Sequence, residues 1–341
     1  MDRRHFMALA GATVAGAALT PAATLQELVL VLVEPGSRAT SGDDLTIASL
    51  GRRVADVERA YQACEYDTVV AQLPALLDRI KAGDQFLAGD DRRRLAGLAS
   101  QAHHVAAGVL LKLNNPGMAS VAADRSIDAA RRSEDPVMLG ASARIVTHTL
   151  MASGQMDAAH SYASSRADDL SGELLGPEPG SLSVYGALLL RGASAAGKAE
   201  NASAARTLLD EAEETALRLG DQGNHNWTAF GTANVFAHRM AVEISLGNAG
   251  NAIDYLRRIE LDQLGIVERR VVVCIDAARA YSQWGKHDQA LSALRAAEQV
   301  SSTALRLRPV AKEVVHQIRS TGPASVQPGL RDLVERVGIA A

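Results

Sequence analysis

A chain of 341 residues that is 47% hydrophobic can bury a large core, and is too long for one compact bundle unless that core is extended. A formal charge of −4 excludes broad, non-specific attraction to nucleic acid or an anionic membrane, which needs a concentrated basic face. Aromatic residues are only 4% while alanine and leucine dominate, which suits closely packed helices rather than sheets, and no run of about 20 apolar residues marks a membrane span.

Residues 1–23 place Arg3-Arg4 ahead of a weakly apolar, Ala- and Gly-rich run from Ala8 to Leu19, with Pro21-Ala22-Ala23 after it. That order resembles a twin-arginine export leader, although Asp2 stands where such leaders usually carry Ser or Thr. A short amphipathic or irregular lead-in is the other reading. Gly11 and Gly16 bracket a loop-like stretch, but no Lys-Ser/Thr follows, so a phosphate loop is excluded. Residues 24–49 are expected to be a linker, because Glu34 to Asp44 are dense in turn formers. Everything from 50 to 339 reads as helix, broken at Ser171 to Ser183 and more briefly at Ser320 to Pro328. Cys64 and Cys274 each sit in an apolar helical pattern, the setting of buried, reduced thiols.

Within 50–339 a pattern repeats. Tyr281 is followed by the turn Gly285-Lys286-His287-Asp288, then Ala290, Leu294 and Ala297, with Cys274 and Ala278 before it. Small residues let two antiparallel helices approach to about 8–10 Å, and large neighbours fill the groove beside them. Degraded copies start at Gly247 (Ala252, Leu256, Ile259), Gly197 (Ala205, Leu209, Ala212), Gly154 (Ala159, Ala163), Gly117 (Ala122 or Ala123, Ile127, Ala130) and Tyr61 (Val70, Pro74, Leu77). In the copies ending at Ala159, Ala252 and Ala290 the Gly-to-Ala step is five residues. The expected fold is all-α, a tetratricopeptide-type α-solenoid of about six helix pairs, whose apolar faces are buried only when neighbours stack.

The stretches His104–Leu113, Ala122–Ile127, Leu182–Arg191, Gly223–Arg239, Ala278–Gly285 and Arg308-Pro309 carry a family likeness. Over Leu50 to Ile339 the chain resembles the tetratricopeptide C-terminal region of actinobacterial XRE-type helix-turn-helix transcriptional regulators. The segment around Trp227 is the most specific part. The resemblance implies a role in transcriptional control. Such regulators carry a DNA-reading helix-turn-helix ahead of the repeats, whereas the 49 residues here lack two charged amphipathic helices joined by a tight turn. DNA is therefore expected to be reached only indirectly, or through an N-terminal domain missing from this sequence.

In such a pair the first helix lines the concave groove. Residues 18, 15, 11 and 8 positions before the small residue of the second helix share one face. Ala159 thus selects Arg144, His148 and Met151; Ala252 selects Asn234, with His238 a turn further on; Ala290 selects Arg279 and Ser282. Ala122 selects His104 and Asn114, and Val70 selects Arg59. Asn226 is expected to cap a helix starting at Trp227, so that Trp227, Phe230, Asn234 and His238 follow at helical spacing. With Tyr185, these give the candidate binding groove Arg144, His148, Tyr185, Trp227, Phe230, Asn234, His238 and Arg279. Arg, His and Asn among apolar residues suit a peptide carboxylate, a backbone amide or a small anionic ligand. The plainer alternative makes the polar groups solvated or mutually satisfied, and Trp227 and Phe230 core residues.

No motif supports a nucleophilic triad, and no paired carboxylates stand in a setting that would raise one of them. The adjacent His103 and His104 point about 100° apart on a helix and make no metal pair. The expectation is a non-enzymatic, cytoplasmic regulatory or sensory module that binds a peptide, small molecule or partner protein. It needs no cofactor or metal, has no membrane partner, and leaves a homodimer open. An exported protein-binding scaffold is the alternative.

Overall fold

A computed structural model describes residues 22–33, 45–171, 176–220 and 223–339. Arg3-Arg4, the run to Leu19 and the turn-rich residues 34–44 lie outside the described residues.

Among the described residues there are fifteen α-helices and no strand. Helix α1 (Ala22–Val33) falls inside the stretch expected to be a linker. Its Leu28 and Leu32, one turn apart, are fully buried, and the helix packs on the second helices of the first two pairs. Six pairs follow: α2 (Ile47–Gln62) with α3 (Tyr66–Phe86), α4 (Gly89–Lys112) with α5 (Pro116–Ser133), and α6 (Pro136–Ala152) with α7 (Met156–Leu170). Then come α8 (Pro179–Lys198) with α9 (Ala202–Leu219), α10 (Thr232–Ser245) with α11 (Ala249–Leu256), and α12 (Val267–Gln283) with α13 (His287–Leu307). A further pair, α14 (Pro309–Thr321) and α15 (Gln327–Val337), uses the predicted break at 320–328 as its turn.

One turn geometry recurs in all six pairs. The middle residue is left-handed: Cys64, Asn114, Gly154, Glu200, Gly247 and Gly285, with φ between 58° and 79°. The next residue donates its backbone N–H to the carbonyl five positions back, as in Gln155 to Leu150 and Lys286 to Tyr281, at 2.8–3.0 Å across the six. This 6→1 bond satisfies a carbonyl that the ending helix would leave open. Five residues after the left-handed residue stand Val69, Ala119, Ala159, Ala205, Ala252 and Ala290, each 0% exposed. The five-residue step thus holds in every pair. Two anchors move: Val69 replaces Val70, and Ala119 replaces Ala122. Two turns also move, from Gly117 to Asn114 and from Gly197 to Glu200. Successive left-handed residues are 38 to 50 apart, longer than the ideal tetratricopeptide period of about 34.

Among the described residues, the contacts divide the chain into two compact units. The first holds α1 to α7, residues up to 192 of α8, and residues 226–228. The second holds the end of α8, residues 199–225 and 229 onward. Within the first unit α3 packs on α4 and α5 on α6, while the first helices α2, α4 and α6 touch in succession. Within the second, α9 packs on α10, α11 on α12 and α13 on α14, and α10, α12 and α14 touch in succession. Each unit is thus a tandem stack of helix pairs, the α-solenoid organisation. A buried polar knot crosses the first stack: the hydroxyls of Ser100, Ser126 and Ser142 meet, and Ser126 donates to the Ser100 carbonyl at 2.9 Å. Cys64 and Cys274 are both buried and in no disulfide, and burial pushes the Cys274 thiol up to about 12.

Candidate functional site

In the first unit the corrected anchors re-index the first-helix faces. They place Gly51, Val54, Glu58 and Tyr61 on α2, Gln101, His104, Gly108 and Leu111 on α4, and Ala141, Arg144, His148 and Met151 on α6. Arg59 and Asn114 leave the set. Arg59 is an exposed residue paired with Asp56, and Asn114 is a turn residue. The cause is the move of the anchors, by one residue for Arg59, which rotates a helical face by about 100°, and by three residues for Asn114.

His104 reaches from α4 to bond the Ala141 carbonyl of α6. Burial, and then the charges of Arg144 and Arg191, hold its pKa down to about 3, so the ring is neutral at physiological pH. His103 turns elsewhere, to the Ala99 carbonyl at 2.7 Å. Arg191 lies on α8, with Tyr185 buried earlier on the same helix. On α2, Glu58 is 6% exposed, and burial pushes its carboxyl up to about 8, so it is protonated at neutral pH. At Gly108 an added Cβ would lie 2.9 Å from the Tyr61 hydroxyl, so only glycine lets Tyr61 lie across α4 there.

Toward the helix N-termini the same side opens into a cleft of about 430 Å³, lined among others by Ile47 of α2, Gly97, Leu98 and Gln101 of α4, and Met138 of α6. On α4, Arg94, Gly97, Gln101 and His104 follow at helical spacing; on α6, Met138, Ala141, Arg144 and His148 do the same. Asp135 fixes the start of α6 by accepting from the Val137 and Met138 amides at 2.8 and 3.2 Å.

In the second unit, Asn234 opens the face of α10. It is 4% exposed and its Oδ1 is buried without a hydrogen-bond partner. One turn on, buried His238 donates from Nδ1 to the Asn234 carbonyl at 2.9 Å, which leaves Nε2 as the ring's acceptor in the neutral form. On α12, burial raises the Asp276 carboxyl to about 6 against the charges of Arg308, Arg279, Arg269 and Lys198. Glu268 pairs with Arg269 and Arg308. Arg239, next to His238 in sequence, faces α9 and is held by Asp210 and Glu213, while Arg206 of α9 pairs with Glu243 of α10. These latches fix how α10 sits on α9.

The Trp227 segment departs from expectation. The residues His225–Trp227 form a 3-10 turn, and α10 begins only at Thr232. Asn226, Trp227 and Ala229 are left-handed, with φ of 47°, 55° and 55°, which no α-helix admits. Asn226 caps no helix; its side-chain amide donates to the Gly180 carbonyl at 3.2 Å. The Trp227 carbonyl accepts from Gln62 Nε2 at 3.2 Å, and Phe230 is a core residue, 1% exposed. Trp227 and Phe230 therefore share no helical stripe with Asn234 and His238.

Arg144, His148, Tyr185 and Trp227 belong to the first unit, and Phe230, Asn234, His238 and Arg279 to the second, so neither unit gathers all eight. The sequence reading passed over Glu58, Gln101, Arg191 and Asp276. Glu58 and Gln101 become legible once Val69 and Ala119 are the anchors. Arg191 and Asp276 stand one residue beyond groove positions of their pairs.

No protein-family model matches the chain, and no curated protein matches it. Among solved structures it is similar to a Rap protein complexed with Competence and Sporulation Factor, at 14% identity and a TM-score of 0.49, over 85% of this chain and 91% of that one.

Proposed function

We propose that this chain is a non-enzymatic binding module that takes up a peptide, a small ligand or a segment of a partner protein on the first-helix faces of its pairs. The observation that carries the reading is Asn234. A buried amide oxygen without a partner costs about 1–3 kcal/mol, and here it opens a helix face with buried His238 one turn away. A ligand N–H completes the Asn234 oxygen. The likeness to XRE-type regulators gives the module a regulatory setting in the cytoplasm, with DNA reached only indirectly or through a further domain.

The test uses a fluorescein-labelled pool of degenerate hexapeptides and fluorescence anisotropy. Asn234→Ala is expected to keep the melting temperature of the wild type or exceed it, because it removes an unsatisfied acceptor, while peptide retention drops at least tenfold. His238→Ala is expected to weaken retention in the same assay. Unchanged retention by both variants overturns the assignment. A second reading, an exported scaffold, draws on Arg3-Arg4; an intact Met1 or Asp2 in N-terminal sequencing of native protein eliminates it.

A further inference from the structure

We propose that the turn Asn226-Trp227-Thr228 is an internal strap on the peptide face of the first unit, docked there as a peptide would dock and released when one binds. The inference rests on the peptide-binding reading above and adds to it a built-in competitor.

Residues 226–228 belong with the first unit, as do Gln62 and Gly180. Gln62 ends α2 one turn past Glu58, so it extends the first-helix face of the first pair. Its Nε2 donates to the Trp227 carbonyl at 3.2 Å. Gly180 stands two turns before Ala187, which is 18 residues ahead of the anchor Ala205, so it lies on the first-helix face of the fourth pair. Its carbonyl accepts from Asn226 Nδ2 at 3.2 Å. The turn thus bridges two first-helix faces through one main-chain carbonyl and one side-chain amide, the groups an extended ligand offers to a groove. A Cβ at Gly180 would stand 2.9 Å from Asn226 Nδ2, so this glycine admits the approach.

The docking is built to be undone. Asn226, Trp227 and Ala229 are left-handed, which costs energy at every residue with a Cβ and persists only while contacts impose it. The two bonds to Gln62 and Gly180 lie in part-buried and exposed settings, where water replaces them readily. Asn224 closes the turn by accepting from the Ala229 amide at 3.1 Å, so the segment lifts as one body. Phe230, fully packed just after it, is the fixed pivot. A strap of this kind lowers the apparent affinity for a peptide in proportion to the fraction of molecules in which it is closed.

Trp284→Phe, at an exposed position, leaves Trp227 as the one tryptophan of the chain and serves as the parent protein. Acrylamide quenching then reports the strap, and anisotropy of the fluorescein-labelled hexapeptide pool reports binding. Gln62→Met removes one donor, and Gly180→Ala crowds the other bond at a helical position that suits alanine. Each is expected to raise Trp227 quenching and to tighten pool retention by roughly fivefold, the worth of one hydrogen bond no longer competing. Saturating the parent with unlabelled pool should also raise Trp227 quenching. A pool that binds the parent while Trp227 quenching stays unchanged or falls overturns the strap and leaves peptide binding standing. Retention that is unchanged or weaker in both variants does the same, because the turn is then scaffold or part of the site. No retention by the parent or either variant overturns both readings. Circular dichroism checks the fold. If Gln62→Met is disrupted, Asn226→Asp takes its place with the same expectation, since it tolerates a left-handed backbone and has no N–H to give Gly180.

Discussion

Glu58 shows how one residue can be invisible in sequence and informative in structure. Read from Val70, the α2 face carried Arg59; read from the true anchor Val69, it carries Glu58. Burial raises this carboxyl from 4.5 to about 8, so the folded chain keeps a proton that the unfolded chain releases. Stability must then fall as pH rises between those two values, by up to about 1.4 kcal/mol per pH unit, and level off above. Glu58→Gln never ionises and mimics the protonated acid. It should match the wild type near pH 4.5 and exceed it by a few kcal/mol at pH 8.5. The buried histidines, His103, His104 and His238, are common to both proteins and cancel from the difference. Urea unfolding at pH 5, 7 and 8.5 reads it, and parallel stability profiles would refute the burial argument. Asn234 and His238, by contrast, were legible from Ala252, because the Gly247 turn before that anchor is marked by glycine.

At the scale of the element, glycine decided what could be read. The turns at Gly154, Gly247 and Gly285 were found because glycine is the default left-handed residue. The equivalent turns at Cys64, Asn114 and Glu200 were missed or displaced, since the stacking of two helices imposes a conformation that local sequence does not advertise. The same blindness extended a helix back through Asn226, Trp227 and Ala229. Helix α1 was missed for a different reason: the nearly continuous apolar run Leu28–Val33 offers no polar face to mark a helical period. Glu200 is the best place to test the turn argument, because its side chain is exposed and little packing is lost on removal. A left-handed residue with a Cβ costs about 1–2 kcal/mol, offset in part by the greater freedom of glycine in the unfolded chain. Glu200→Gly should therefore raise the melting temperature by about 1–3 °C, whereas Gly247→Ala should lower it. A drop for Glu200→Gly would mean that its side chain does more than tolerate the turn.

For the molecule as a whole, the repeat rests on small residues that let neighbouring helices approach. Six first-turn positions, from Val69 to Ala290, are fully buried by the same geometry, and each closes a pair onto its own first helix. In a stack of this kind, stability is a sum of pair terms and nearest-neighbour terms. A wedge at one anchor should therefore act on its own pair and the pairs that lean on it. Ala290 sits in α13, which packs on α12, α14 and α15. Ala290→Arg forces a long charged stem into a site with no room, combining overpacking with the burial of a charge, and should cost several kcal/mol. Amide exchange should accelerate in α12 to α15, while α4 to α6, in the other unit, keep wild-type protection. The melting temperature should fall as well. If Ala290→Arg melts like the wild type and α12 to α15 exchange no faster, the position is not a close-packed anchor. The register that places Asn234, Arg144 and Glu58 on first-helix faces would then fall with it, since all three are counted from anchors of the same kind.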